Sequence, residues 1–159
     1  MNKKTNTILI FILFGLSASL ILAYIIEYGL GHEPCRLCVY QRFPYILSIL
    51  LILSVLLIKK NVKIHLLVLG MISLSGAVLA FYHFGIEQGF FNESAVCESQ
   101  NLQEGLTKQD ILEQLKQNTI SCKDVNFTLF GLSLASINAI VSFVLFMIFV
   151  RLYRNYEIN

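Results

Sequence analysis

Charge is what this chain has least of. Only 14% of its 159 residues are Asp, Glu, Lys or Arg, while 56% are hydrophobic and the mean hydropathy is +0.69. So few charges cannot wrap a soluble domain of this length. The net charge of +2 gives no electrostatic case for nucleic acid, and no nucleic-acid partner is expected. Internal repeats and low-complexity tracts are absent, no soluble domain is expected at either end, and no clear small-x-small cleavage site precedes Glu27. The first apolar run, with Lys3 and Lys4 in front of it, therefore reads as a retained signal anchor and not as a cleaved leader.

What the chain does have is four long apolar runs. They cover about residues 8–28, 39–58, 64–86 and 129–150, and each reaches the roughly 20 residues that a helix needs to cross ~30 Å of hydrocarbon. The expected fold is an all-α membrane protein: a four-transmembrane-helix bundle forming a single integral domain over 1–159, with outer loops at about 29–42 and 87–128. A soluble bundle of fully buried helices is set aside, because nothing would remain to cover its outer faces. Lys3, Lys4, Lys59, Lys60, Lys63, Arg151 and Arg154 fall at the termini or in the short second loop. Glu33, Glu87, Glu93, Glu98, Glu104, Asp110, Glu113 and Asp124 fall in the other two loops or at their edges. The bias of basic residues puts both termini in the cytoplasm and both cysteine-bearing loops outside it.

The second loop, about 59–63, is short enough to make its flanking helices antiparallel neighbours. Gly29, Gly31 and Pro34 end the first helix and allow a tight return to the membrane. The long outer loop is expected to hold a helix of its own. Thr107 and Asp110 resemble a capping box, and Ile111, Leu112 and Leu115 follow on one face, to lie on the membrane or pack on the bundle.

All four cysteines, Cys35, Cys38, Cys97 and Cys122, fall in the outer loops, where disulfides persist. Cys35-Arg36-Leu37-Cys38 is a C-x-x-C pair just before the second span. That spacing suits ready interconversion of dithiol and disulfide, or a static bridge. Arg42 follows Cys38 by four residues, so on a helix its guanidinium shares a face with that sulfur. There it can favour thiolate, hydrogen-bond a quinone carbonyl, or snorkel beside Tyr40 and Tyr45. Cys97 and Cys122 are separated by 24 residues, a natural loop-closing disulfide open to attack by another protein's thiolate. Structural zinc usually takes two short-spaced pairs and only one is short here, so no metal is expected. His83, near the outer end of the third helix, is a candidate to polarise a bound carbonyl or else a satisfied interfacial residue. His32 lies beside the first thiol pair and His65 on the cytoplasmic side. Glu27 is a candidate proton carrier near the outer end of the first helix.

Three stretches together carry a resemblance: Cys35-Arg36-Leu37-Cys38-Val39-Tyr40-Gln41-Arg42; Tyr82-His83 with Gly85-Ile86-Glu87-Gln88-Gly89; and Phe130-Gly131-Leu132-Ser133. They resemble the disulfide bond formation protein B family, DsbB, over all four spans, in wording closest to members from alphaproteobacteria. The resemblance implies a membrane thiol oxidase of the bacterial inner membrane, with its cysteine loops in the periplasm. Cys97 matches the cysteine attacked by a reduced DsbA-like, thioredoxin-fold thiol oxidase, and Cys122 matches its pair. Cys35 matches the cysteine that takes up electrons by exchange with that pair. Cys38 matches the cysteine facing the quinone, in a thiolate adduct or charge-transfer complex, and Arg42 the arginine beside it. The electrons are expected to enter the membrane quinone pool, ubiquinone ahead of menaquinone. Two competitors fit less of the sequence. A stapled four-span scaffold of tetraspanin type explains Cys97 and Cys122 but not Cys35, Cys38 and Arg42, and the large loop has no Cys-Cys-Gly run. In a quinone reductase of the vitamin K epoxide reductase type, the C-x-x-C belongs near the last helix.

Overall fold

The computed structural model of the chain describes residues 3–32, 34–92, 122, 128–129 and 131–158. Cys97, the expected loop helix around 107–115, Phe130 and the acids Glu33, Glu93, Glu98, Glu104, Asp110, Glu113 and Asp124 lie outside the described residues. Helix α1 (Lys3–Tyr24) runs on into a π-helical turn, Ile25–Gly29. A short α2 (Arg36–Tyr40) leads through Gln41 into α3 (Arg42–Ile58). Helix α4 covers Val62–Glu87 and α5 covers Leu134–Ile158. Before α5, β1 (Thr128–Leu129) pairs antiparallel with β2 (Leu132–Ser133). Four segments are long and apolar enough to cross a membrane: Lys3–Gly29, Arg36–Ile58, Val62–Glu87 and Leu134–Tyr156. The four-span all-α bundle is thus the observed architecture.

Two of the helix starts that differ from the apolar pattern do so for a capping reason. The second span starts at Arg36 and not near 39, because Cys35 serves as its N-cap: the sulfur accepts the Cys38 N–H at 3.3 Å. That bond satisfies one of the donors a helix start leaves open. The last helix starts at Leu134 and not near 129. Gly131, at φ 78°, turns the chain into the small β-ladder, and Ser133 then caps the helix by accepting the Ser136 N–H at 3.2 Å. Between α3 and α4 the chain reverses in three residues. Lys59 and Asn61 both take left-handed backbone there, at φ 55° and 50°, and the Lys59 N–H closes on the Val55 carbonyl at 3.0 Å.

Helices α4 and α5 make the most extensive contact in the bundle. The buried face of α4 includes Gly70, Ser73, Gly76, Ala77 and Ala80. Small side chains let helices approach closely, which matters in a membrane because packing rather than water exclusion holds helices together. Leu9, Ile12, Leu16, Ile52, Val55, Val62, Leu66, Leu69, Phe149 and Leu152 form the core at the end that holds both termini and the 59–61 reversal. The outward faces stay apolar: Phe11, Phe14, Leu57, Phe81 and Phe143 are each more than half exposed, as lipid contact requires.

At the other end α4 stops in a Schellman motif. The Phe90 N–H bonds the Gly85 carbonyl at 2.8 Å and the Gly89 N–H bonds the Ile86 carbonyl at 3.0 Å, with Gly89 at φ 76°. The motif folds Phe91 back over Gly85, where any Cβ would run into the ring. A Gly89→Ala chain is expected to lose about 1 kcal/mol of stability, read as a lower unfolding temperature in detergent. An unchanged temperature would mean that this end of α4 is held by other contacts.

Candidate active site

The helix ends gathered opposite the hydrophobic core carry the chemistry. Cys35 is buried at the N-cap of α2, and Cys38, one turn on, is half-buried. Their sulfurs lie 2.9 Å apart. Three groups converge on the Cys35 sulfur: the Cys38 sulfur, the Cys38 backbone N–H at 3.3 Å, and the ring of His83 with Nε2 at 3.5 Å. The hydrogen bond from Cys38 is the largest influence on Cys35, burial opposes it, and His83 adds to it. The Cys35 thiol falls from the ordinary 9.0 to about 4. In the reduced pair these contacts favour the thiolate form of Cys35.

Cys122 is buried against the same cluster, with Leu37 and Ile86, and is disulfide-bonded. Its sulfur, the Cys35 sulfur and a His83 nitrogen all lie within 4.8 Å of one another. That spacing would suit a soft metal ion, but the Cys122 sulfur is committed to its disulfide, which leaves too few ligands for zinc among the described residues. The same closeness suits sulfur-to-sulfur exchange, in which an attacking thiolate needs an approach to one sulfur of a disulfide.

His83, read from the sequence as a carbonyl-polarising or a satisfied interfacial residue, lies in the same buried cluster. It is only 2% exposed, Nδ1 is 2.9 Å from the Gln41 side-chain amide nitrogen, and Nε2 faces Cys35, with Glu87 Oε1 at 3.7 Å. Both ring nitrogens are thus engaged within the protein. Arg42 Nη1 bonds Glu27 Oε2 at 2.5 Å, and its guanidinium carbon lies 4.9 Å from the centre of the Tyr24 ring. Glu27, the candidate proton carrier, lies in the π turn and is held by this cation at the start of α3.

A second layer was not anticipated. Asn138 donates to Gln41 Oε1 at 2.5 Å and accepts from the hydroxyls of Tyr45 at 2.5 Å and Ser142 at 3.3 Å. A lone amide inside an apolar span is a signal in its own right, since membrane helices rarely hold one without a partner. Glu87 is buried too, and its Oε2 has no partner among the described residues.

This buried C-x-x-C at a helix start, facing a disulfide-bonded cysteine in a four-span bundle, agrees with sequence comparison. The pattern of the family described as "Disulfide bond formation protein DsbB" matches residues 5–152. The chain belongs to the DsbB family. It is a multi-pass membrane protein of disulfide bond formation. It is also 34% identical over 122 residues to a protein of Rickettsia prowazekii (strain Madrid E) described as an uncharacterized protein, covering 76% of this chain and 71% of that one. The matched DsbB region contains all four cysteines, with Arg42, His83 and the Gln41 and Asn138 amides.

Proposed function

We propose that this DsbB-family chain is a thiol oxidase of the bacterial inner membrane. It reoxidises a periplasmic DsbA-like, thioredoxin-fold partner and passes the electrons through two cysteine pairs to a membrane quinone. The observation that carries this is the buried Cys35 sulfur, 2.9 Å from Cys38 and within 4.8 Å of Cys122. One sulfur is then within reach of both pairs. The partner's thiolate attacks Cys97, the Cys97–Cys122 bond breaks, and Cys122 leaves as a thiolate. Cys122 next attacks Cys35 of a Cys35–Cys38 disulfide: a Cys35–Cys122 bond forms, the Cys35–Cys38 bond breaks, and Cys38 takes the departing electron pair. When the partner's second thiol has released Cys97, the Cys97 thiolate attacks Cys122. This closes Cys97–Cys122 and leaves Cys35 and Cys38 as the reduced pair.

The residues present fit a quinone. Cys38 is half-buried at the outer end of a membrane span, Val39, Tyr40 and Phe43 leave apolar surface around it, and the guanidinium of Arg42 keeps N–H groups beyond the one that Glu27 occupies. Cys38 and Arg42 would hold it. A bound quinone, ubiquinone ahead of menaquinone, accepts two electrons and two protons and leaves as quinol. That sink is required because oxidising a strongly oxidising partner is uphill, at about 1.4 kcal/mol for each ~30 mV of a two-electron couple.

The test is quinone reduction by the purified chain in detergent with a reduced thioredoxin-fold partner, comparing the unaltered chain with Cys97→Ser and Cys38→Ser. Quinone loss that needs both cysteines is the expected result. Stable pairs that resist reduction, with no turnover on ubiquinone or menaquinone, would leave a stapled four-span scaffold as the function.

A further inference from the structure

We propose that Gln41, Asn138 and Tyr45 are positioning residues that fix His83 as a hydrogen-bond donor to the Cys35 sulfur, so that the histidine serves thiol–disulfide exchange. This rests on the exchange role of Cys35 proposed above.

The hydrogen bonds form one directed chain across three helices. Tyr45 from α3 and Ser142 from α5 both donate to Asn138 Oδ1, which leaves the Asn138 amide nitrogen to donate to Gln41 Oε1. With its oxygen occupied, Gln41 turns its NH2 to His83, so Nδ1 must accept. The ring proton is then on Nε2, the nitrogen that faces Cys35. A thiolate with such a neighbour keeps its charge, and a sulfur that exchanges between Cys38 and Cys122 must hold that charge whenever it attacks or leaves. Gln41 is buried at 7% exposure and His83 at 2%, so water does not replace the missing partner if one link is cut. Nucleophile, imidazole and a fixed amide at the far ring nitrogen make up a general arrangement for activating a thiol.

Among the described residues, the titratable groups facing Cys35 and His83 are Cys38 on α2, Glu87 on α4 and Cys122; Arg42 is engaged by Glu27. The test removes the thiols among them. In a full-length chain carrying Cys38→Ser, Cys97→Ser and Cys122→Ser, Cys35 is the sole thiol, and the serine hydroxyl at position 38 keeps a donor. Iodoacetamide labelling of Cys35 is followed against pH, with Glu87 common to every variant. His83→Gln and Gln41→Leu are each expected to raise the midpoint of the rate profile by about one pH unit, which corresponds to about tenfold in thiolate population below the midpoint. The double variant is expected to move it no further, because both act through one path. A midpoint unmoved by Gln41→Leu, or additive shifts in the double variant, would overturn the proposal. Should Gln41→Leu fail to fold, the near-isosteric Tyr45→Phe takes its place, with a smaller rise supporting the chain and no rise overturning it. Labelling involves no quinone and no partner, so its failure is distinguishable from failure of the proposed turnover.

Discussion

A Cys38→Ser chain is expected to stop turning over and to accumulate a bond between Cys35 and Cys122. With a hydroxyl at position 38, Cys35 cannot be held in its own pair. It keeps the His83 ring and the backbone N–H of residue 38 beside its sulfur, and both contacts favour thiolate. The Cys122 sulfur, disulfide-bonded and buried, lies within 4.8 Å. Attack by Cys35 forms Cys35–Cys122 and expels the other sulfur of the Cys122 disulfide as a thiolate. In the unaltered chain Cys38 stands 2.9 Å away and reverses this bond by attacking Cys35. Well-placed intramolecular groups act at effective concentrations of about 10⁵ M or more, so losing that thiol should lower turnover by at least about a thousandfold. Peptide mapping under non-reducing conditions reads the result directly. Recovery of Cys122 in its original pair, with Cys35 open to alkylation, would mean that the closeness of these sulfurs has no chemical consequence.

The spans were legible in the sequence because lipid demands apolar faces all round a helix, and such faces print as long apolar runs. The helix starts were less legible. The α2 start depends on a sulfur acting as a cap, and the α5 start depends on the left-handed Gly131 and the Ser133 hydroxyl, neither of which alters hydropathy. The C-x-x-C pair announced itself by spacing alone. The partners of Arg42 and His83 did not, because both are set by non-local contacts. Glu27 in the π turn meets Arg42 from 15 positions away, and Gln41 meets Asn138 from 97 positions away. Asn138 broke the apolar pattern of the last span and carried the one sequence signal of this layer: a polar side chain at membrane depth needs a partner on another helix.

Replacing Arg42 by methionine is expected to cost both stability and turnover, and a second substitution should separate the two. The Arg42 side chain is 13% exposed and that of Glu27 18%. Removing the cation leaves a carboxylate nearly out of water at the end of a membrane helix, a loss of about 3 kcal/mol for a broken buried pair. Adding Glu27→Gln removes the stranded charge, so the double variant should regain most of the lost unfolding temperature in detergent. Quinone reduction should not return with it, staying at least about tenfold below the unaltered chain, since a hydrogen bond from a charged donor is worth about 1.5–3 kcal/mol. Recovery of turnover along with stability would make Arg42 a structural counter-ion for Glu27 and move the acceptor's binding groups elsewhere. Stability regained without turnover would leave the guanidinium with two tasks at once: Nη1 neutralises Glu27, and its remaining N–H groups serve the proposed electron acceptor.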